Sequence, residues 1–326
     1  MNKQWFGSRA IGIGLAAALL TGCGGIQTGQ STMPQASEAV TGVRNLGHSW
    51  MLPQTKSQNL IYATFGCGGT CVLSYPDGAL VGTFDVGDAG ACADKSGNVY
   101  IADKDNLLEF AHGGTVPINT YTAPNAEVTS CSVDPTTGNV ATTVNDNVSS
   151  NYSVAIFSST TATPTTYLIA SGASACGYDN NGNLFVDGPG SHIMLYELTK
   201  YGTSFSSVSI TPSIQLNPGQ VQWDGTYLAL EGLNVPSGAK VFRLQLSGSS
   251  ATVVRTIKFK GITKTASQSW INGNRIFIPY GIRGDGPRKT RIGVWNYPKG
   301  GKPLQAFKGF GQNLNLQAVT YSPATP

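Results

Sequence analysis

The sequence predicts an all-β protein, a six-bladed β-propeller closed by one C-terminal strand that pairs with N-terminal strands. Three observations predict this fold. The 326 residues include 41 Gly and 17 Pro, and only 12% are charged, which is typical of a turn-rich β protein. Short runs of alternating polarity recur between Gly, Asn, Asp and Pro, without long stripes of helical period. A strand–turn–strand unit also returns every 40 to 50 residues, the period of a four-stranded blade.

The repeated unit is a short apolar strand, a turn of Asp, Asn and Gly, and a second strand. In the first copy, Gly90–Asp94 is followed by a turn at residues 95–98 and by the strand Val99–Asp103. Asp and Asn cap such turns through side-chain hydrogen bonds, and Gly accepts a positive φ. The marker positions that end the first strand are Asp94, Asp134, Asp179, Asp224, Asn272 and Ser322. Six markers predict six blades.

The sixth marker lies four residues from the C-terminus, so its blade needs strands from elsewhere. Three unclaimed strands near the start, at residues 60–64, 71–75 and 79–84, complete it. A ring closed in this way leaves no open sheet edge to aggregate.

The segment Gly97–Asp103, followed by Leu107–Phe110, resembles the repeats of NHL-type six-bladed propellers. The resemblance covers most of residues 59–326 and implies the propeller fold. It implies little about function, because this fold hosts hydrolases, lyases and plain binding surfaces.

The N-terminus predicts export. Lys3 and Arg9 flank the start of an apolar run at residues 10–20, which has the length of a signal-peptide core and is too short to cross a bilayer. Residues 1–22 are therefore predicted to be a cleaved signal peptide.

Leu20–Cys23 resembles the bacterial lipobox, which implies that Cys23 is acylated and tethers the chain to a lipid bilayer. The alternative is an ordinary signal peptide with a chance Cys. Gly24, in place of an Asp, implies the outer membrane if the host is Gram-negative. Residues 23–57 are rich in Gln, Ser, Thr and Gly and are predicted to be a flexible tether, with residues 50–52 as a docking point. The propeller is predicted to span residues 58–326.

Five cysteines remain after Cys23, an odd number that cannot pair completely. Cys67 and Cys71 flank a tight turn between strands, so a disulfide between them is predicted in an oxidising compartment. Cys92, Cys131 and Cys176 lie in apolar strand patterns and are interpreted as buried small hydrophobes.

Charge is distributed unevenly along the chain. Residues 60–239 hold three lysines against fifteen acidic residues, and residues 240–326 hold fourteen Lys or Arg against one Asp. One interpretation is charge that keeps the ring soluble. The other is a basic patch within residues 258–308 that binds an envelope protein, a glycan or an anionic polymer. Its candidate binding residues are Arg283, Arg288, Lys289 and Arg291. Nucleic acid is not an expected partner of an exported protein with a net charge of only +4.

Four polar residues end the second strands of successive blades: Asp103, Asn145, Asp187 and Glu231. They could form an arc of oxygen ligands that suits Ca2+, or they could simply cap turns. Calcium-dependent gluconolactonase-like propellers provide the enzymatic comparison, but no family motif matches residue by residue, so no catalytic residue is assigned.

No nucleophile elbow, phosphate loop or dinucleotide motif is present in the sequence, and three His do not predict a zinc site. Trp223 and Trp270 lie in inner strands, where aromatic side chains either pack between blades or stack on a sugar. The leading hypothesis is a non-catalytic, surface-tethered binding propeller. The alternative is a calcium-dependent hydrolase or lyase with its site at the mouth of the central channel.

Overall fold

The computed structural model describes residues 49–146, 151–158, 163–169, 171–234, 238–262, 267–281, 290–310 and 316–324. Cys23 and the predicted signal peptide lie outside these residues, and so do Arg283, Arg288 and Lys289. The first described elements are β1 (Trp50–Met51), a 3-10 helix (Pro53–Ser57), β2 (Asn59–Gly66), β3 (Gly69–Tyr75) and β4 (Leu80–Phe84). In the described part of the chain, no helix has the length and apolar character needed to cross a membrane.

Blades 1, 2 and 3 follow in chain order, and each is a four-stranded antiparallel sheet. Blade 1 contains β5 (Ala91–Ala93), β6 (Val99–Asp103), β7 (Asn106–Phe110) and β8 (Pro117–Thr122). Blade 2 contains β9 (Ala126–Val133), β10 (Val140–Asp146), β11 (Tyr152–Phe157) and β12 (Thr165–Leu168). Blade 3 contains β13 (Ala175–Tyr178), β14 (Leu184–Gly188), β15 (Met194–Leu198) and β16 (Ser206–Ser207).

Blade 4 has five strands, because β17 (Ser209–Thr211) adds to its outer edge in parallel with the last strand. Its other strands are β18 (Asn217–Trp223), β19 (Leu228–Asn234), β20 (Gly238–Ser247) and β21 (Ser250–Lys258). Blade 5 contains β22 (Trp270–Asn272), β23 (Arg275–Gly281), β24 (Thr290–Asn296) and β25 (Gln305–Phe307). The last strand is β26 (Val319–Ser322).

Blade 6 closes the ring from both ends of the chain. β26 is its inner strand and pairs antiparallel with β2, with Leu60 opposite Ser322 and Ala63 opposite Val319. β3, β4 and β1 follow outward. The predicted fold class is therefore confirmed, including closure by one C-terminal strand.

The segment before β2 is part of blade 6. Trp50 pairs with Thr83 and Met51 with Gly82, so β1 forms the outer edge of the sheet. Thr55, in the 3-10 helix, is fully buried, and its hydroxyl donates to the carbonyl oxygen of Leu52 at 2.6 Å. The sequence predicted a tether that ends at residue 57. The structure places the last residues of that segment, from Trp50 onward, in the propeller. Composition did not predict that this segment joins the sheet, because a short edge strand needs little hydrophobic content.

The marker residues do what the repeat predicts. Asp94 Oδ1 accepts hydrogen bonds from the backbone N–H groups of Ser96 and Asn98 at 2.8 and 2.9 Å, and Asp179 repeats this arrangement in blade 3. Gly97 completes the blade 1 turn at a φ of 87°, which a residue with a Cβ rarely adopts. Each turn thus reverses the chain between the inner strand and the second strand of its blade.

The core lies between the blades. The described buried apolar residues form six clusters, one in each interface between neighbouring blades. Phe84 of blade 6 stacks on Phe110 of blade 1, with ring centroids 4.6 Å apart. Phe277 of blade 5 stacks on Tyr321 of blade 6 at 5.5 Å. Each sheet therefore buries both faces, and the inner strands β5, β9, β13, β18, β22 and β26 surround the axis.

Candidate functional site

The pairing register decides which polar residues share a level of the ring. In blades 2 and 3, Thr143 and Asp187 pair with Ser130 and Ala175, the residues four before the Asp marker. In blade 4, Glu231 follows Leu230, which pairs with Val221, so it faces the bulge at residues 219–220. Asp187 and Glu231 therefore occupy matching positions in adjacent blades.

Asp103 and Asn145 do not share that position. Asp103 lies one residue beyond the matching position of blade 1, half-buried, and its Oδ1 accepts the backbone N–H of Gly87 at 3.0 Å. Asn145 lies two residues beyond Thr143, half-buried between Glu127 and Tyr152. The structure thus does not bring the predicted four-residue arc together, and in the described part of the chain no three His, Cys, Asp or Glu residues form a metal-binding group.

Asp187 is fully buried, and burial raises the pKa of its carboxyl to about 7. Its Oδ1 accepts the backbone N–H of Ala175 at 2.8 Å, and the carboxyl also accepts from the backbone N–H of Gly219. Its Oδ2 is buried with no hydrogen-bond partner. An unsatisfied carboxylate oxygen in this setting is costly unless a proton, a water or a cation reaches it.

Glu231 shares these properties. It is only 1% exposed, and burial raises the pKa of its carboxyl to about 8, with a smaller contribution from the negative charge of Asp187. Its Oε2 accepts the backbone N–H of Ser269 at 3.1 Å, which connects blade 4 to the segment leading into blade 5. Its Oε1 is buried without a partner.

The channel is crossed at this level by Gln268. Its Nε2 donates to the carbonyl oxygen of Thr129 in β9 at 3.3 Å. Blades 5 and 2 lie on opposite sides of a six-bladed ring, so this side chain spans the axis. Gly90 leaves room for it, because a Cβ at position 90 would lie 2.6 Å from Gln268 Oε1 and 2.5 Å from the Thr129 oxygen.

A cavity of about 490 Å³, which we call the mouth pocket, opens where the inner strands end. It is lined by residues 93–96, 131–138 and 220–223, by residues 176–178 with Asn180, and by Trp270. Its volume falls within the range of about 300–1,000 Å³ that small-molecule sites occupy. Five blades therefore contribute to one concave surface at the end of the channel, the fifth only through Trp270.

Aromatic side chains form part of the wall of the mouth pocket. Trp223 is half-buried, and its Nε1 has no hydrogen-bond partner. Trp270, also half-buried, packs against the apolar clusters between blades 5 and 6 and between blades 1 and 2, and so extends across the channel. Both tryptophans thus combine the predicted packing role with a position on the pocket wall.

The carboxylates on the pocket wall are engaged in turns. Asp94 accepts from Ser96 and Asn98, as described above. Asp134 Oδ2 accepts the hydroxyl of Thr137 at 2.6 Å, and its Oδ1 accepts from Thr136. Burial alone would raise the pKa of Asp134, but the hydrogen bonds from Thr137 and Thr136 outweigh it and lower that pKa. Burial raises the pKa of Asp94, in contrast, and its carboxyl is held by hydrogen bonds from Ser96 and Asn98.

The predicted basic patch is described only in part. Arg291, in β24, is half-buried and pairs through its backbone with Tyr280, while Arg283, Arg288 and Lys289 lie outside the described residues. Another basic residue, Arg243, forms an internal ion pair, since its Nε donates to Asp224 Oδ2 at 2.6 Å.

Two disulfides are present among the described cysteines. Cys67 and Cys71, the pair singled out by the sequence, are joined with a Cα–Cα distance of 5.4 Å. Cys92 and Cys131 are also joined, at 5.7 Å, and link the inner strands of blades 1 and 2. Both residues are buried, as the sequence predicts, but they form a covalent link between blades in addition to packing as small hydrophobes. Cys176 is buried and free, and burial raises the pKa of its thiol to about 12.

Comparison with known proteins supports the fold. No protein-family model matches the chain, and no curated protein matches it. Among solved structures, it is similar to a protein of unknown function from Bacteroides caccae, with a TM-score of 0.61 and 13% identity over 82% of this chain and 99% of that one. It is also similar to a chain of a nidogen/laminin complex, with a TM-score of 0.57, 13% identity and the same coverage. At this identity the likeness shows the propeller fold alone.

Proposed function

We propose that the protein is an exported lipoprotein, anchored through acylated Cys23, whose propeller binds a ligand at the cell envelope without catalysing a reaction. The mouth pocket is the observation that carries the binding function. It joins tryptophan faces to hydrogen-bonding groups on four blades, while its carboxylates are held in turns.

A glycan is the ligand class that we propose for this pocket. Sugar rings present C–H faces that pack on tryptophan, and their hydroxyl groups need donors and acceptors nearby. Trp223 provides a half-buried indole face, and Asn180 provides an exposed amide at the rim. Lys95 is the basic residue on this wall, and its Nζ already donates to the carbonyl oxygen of Pro135 at 3.2 Å.

The binding proposal is tested with the full chain purified in detergent and a panel of envelope glycans, measured by calorimetric titration. We expect saturable binding that is weakened at least tenfold in Trp223→Ala and in Asn180→Ala. Tyr201→Ala is the matched control, because Tyr201 is 87% exposed and lies outside the mouth pocket. Binding that is equal in all four proteins would place the glycan elsewhere, and no binding to any glycan would remove this ligand class.

The anchor is tested separately in cells. We expect labelled palmitate to be incorporated into the native chain, which sediments with the membranes, and neither result in Cys23→Ser. A Cys23→Ser variant that is still labelled and still membrane-bound would contradict anchoring through this residue.

The basic patch offers a second binding surface for an anionic polymer. Its test is reversal of Arg283, Arg288, Lys289 and Arg291 to Glu, followed by polymer binding at two salt concentrations. We expect salt-sensitive binding that the reversal abolishes. Unchanged binding would mean that these charges serve solubility only.

A calcium-dependent hydrolase is the second candidate function, and the buried carboxylates of Asp187 and Glu231 are the observation that favours it. Both are less than 2% exposed, so a substrate would have to reach them through the floor of the mouth pocket. Lactone hydrolysis that requires Ca2+ and is lost in Glu231→Gln would move the assignment to this class.

A further inference from the structure

Five buried oxygen atoms near the axis lack a hydrogen-bond partner: Ser130 Oγ, Asp187 Oδ2, Gln220 Oε1, Glu231 Oε1 and Gln268 Oε1. We call these five residues the channel core. All five unpartnered atoms can accept or coordinate, and a buried acceptor that stays unsatisfied destabilises the fold. Five together point to a bound species that satisfies them.

The first half of the channel core is connected through Gly219. Asp187 accepts the backbone N–H of Gly219, and Gln220 is the next residue in the chain. A Cβ at position 219 would lie 3.0 Å from Glu231 Cγ, so the absence of a side chain lets Glu231 approach the same point. The two carboxyl groups thus flank one backbone unit of β18.

Further contacts connect Glu231 to the other two residues of the channel core, Gln268 and Ser130. Glu231 accepts from Ser269, the neighbour of Gln268, and Gln268 donates across the axis to Thr129, the neighbour of Ser130. The buried thiol of Cys176 lies close to both Ser130 and the Asp187 carboxyl, while its sulfur donates to the carbonyl oxygen of Ala141. The unpartnered oxygens therefore belong to one continuous polar core and are not scattered through the protein.

The charge of the channel core is uncompensated by side chains. The ion pair found in the described part of the chain joins Arg243 to Asp224, and no basic side chain is among the groups that act on Asp187 or Glu231. Buried carboxylates are normally paired or coordinate a metal ion. Two of them balance one divalent cation.

The ligand chemistry selects the cation. Carboxylate, amide and hydroxyl oxygens are hard ligands, and Ca2+ takes 6–8 of them in flexible geometry, whereas Mg2+ demands a near-ideal octahedron. Five protein oxygens leave room for water to complete the shell. Gln220 and Cys176 also line the mouth pocket, which gives an ion a route to the core.

We propose that the channel core binds a Ca2+ ion between Asp187 and Glu231, completed by Gln220, Gln268 and Ser130. The ion ties blades 2, 3, 4 and 5 together across the axis. This site does not depend on the glycan function, and it requires no catalysis.

The test uses the full chain after chelator treatment, at pH 7.5, with calorimetric titration and thermal unfolding. We expect one Ca2+ per chain, and a Tm that rises by about 5 °C or more when the free ion exceeds its Kd 100-fold. Asp187→Asn and Glu231→Gln should each abolish both effects. Asp103→Asn is the matched control, because Asp103 lies outside the channel core, and it should behave as the native chain does.

A measurement on the native protein guards against variants that fail to fold. Tb3+ replaces Ca2+ in oxygen sites, and Trp270, two residues from Gln268, is placed to sensitise its luminescence. We expect sensitised emission that Ca2+ displaces in a saturable way. Absence of both binding heat and sensitised emission would overturn the proposal, and so would full Ca2+ binding in both carboxylate variants.

Discussion

The two disulfides should differ in their contributions to stability, because they close chain segments of very different length. Cys92–Cys131 spans 39 residues and joins two blades, whereas Cys67–Cys71 spans four residues within one hairpin. A crosslink removes conformational entropy from the unfolded chain, and the loss grows with the logarithm of the loop length. With these separations, the entropic estimate is about 4 kcal/mol for Cys92–Cys131 and about 2 kcal/mol for Cys67–Cys71.

The perturbation is to replace each pair by Ala in separate variants and to measure guanidinium unfolding by tryptophan fluorescence without reductant. We expect the Cys92/Cys131 variant to lose about 2 kcal/mol more free energy of unfolding than the Cys67/Cys71 variant. Reducing the native chain provides a control that breaks both bonds but keeps every side chain. The reasoning is refuted if the two variants lose equal stability, or if removing the short loop costs more.

Three further predictions concern the folded state. Burial alone would raise the pKa of Asp224, but hydrogen bonds from Arg243 and Tyr297 lower it. The ionised Asp224 carboxyl therefore stabilises the folded state above its unfolded pKa of about 3.9, and this stabilisation is lost as the pH falls below that value. In Asp224→Asn, we therefore expect the Tm to fall less steeply between pH 5 and 3. At pH 7, the same variant should lose about 3 kcal/mol, measured by denaturant unfolding, because Arg243 loses its charged partner. Gly90→Ala should cost about 1–3 kcal/mol, because its Cβ meets the Thr129 carbonyl; an unchanged midpoint would contradict the tight packing seen there.

The fold was predictable because its signals are local and repeated. In blades 1 to 5, an Asp or Asn ends the inner strand and a Gly occupies the turn that follows, and these requirements are met within a few residues of sequence. The closure by β26 followed from counting strands. Residues 50–52 were predicted to dock on the propeller, but composition did not reveal that Trp50 and Met51 add a strand to the outer edge of blade 6.

Of the four candidate metal residues, only two share a level of the ring. Asp187 and Glu231 were identified by their place at the ends of second strands, but Asp103 and Asn145 were grouped with them by the same count. The end of a strand does not mark one level of the ring, because Asp103 lies one residue and Asn145 two residues beyond the position that pairs with the residue four before the marker. A one-residue slip moves a side chain to the other face of its sheet.

The inter-blade disulfide had a signal in the sequence. Cys92 lies two residues before its Asp marker, whereas Cys131 and Cys176 lie three before theirs. Because side chains alternate along a strand, Cys92 faces forward to blade 2 and Cys131 faces back to blade 1. Cys176 also faces back, where its sulfur donates to the carbonyl oxygen of Ala141, and the forward-facing position of blade 2 holds Ser132 in place of a cysteine.

The sequence by itself determined the repeat, the number of blades and the ring closure, because each depends on short-range chemistry or on periodicity. Only the tertiary structure decided which side chains meet at the axis. The mouth pocket draws on four blades and a tryptophan from a fifth, and Gln268 reaches Thr129 across 139 residues of chain. Contacts of that kind depend on register and ring geometry, which no local pattern encodes.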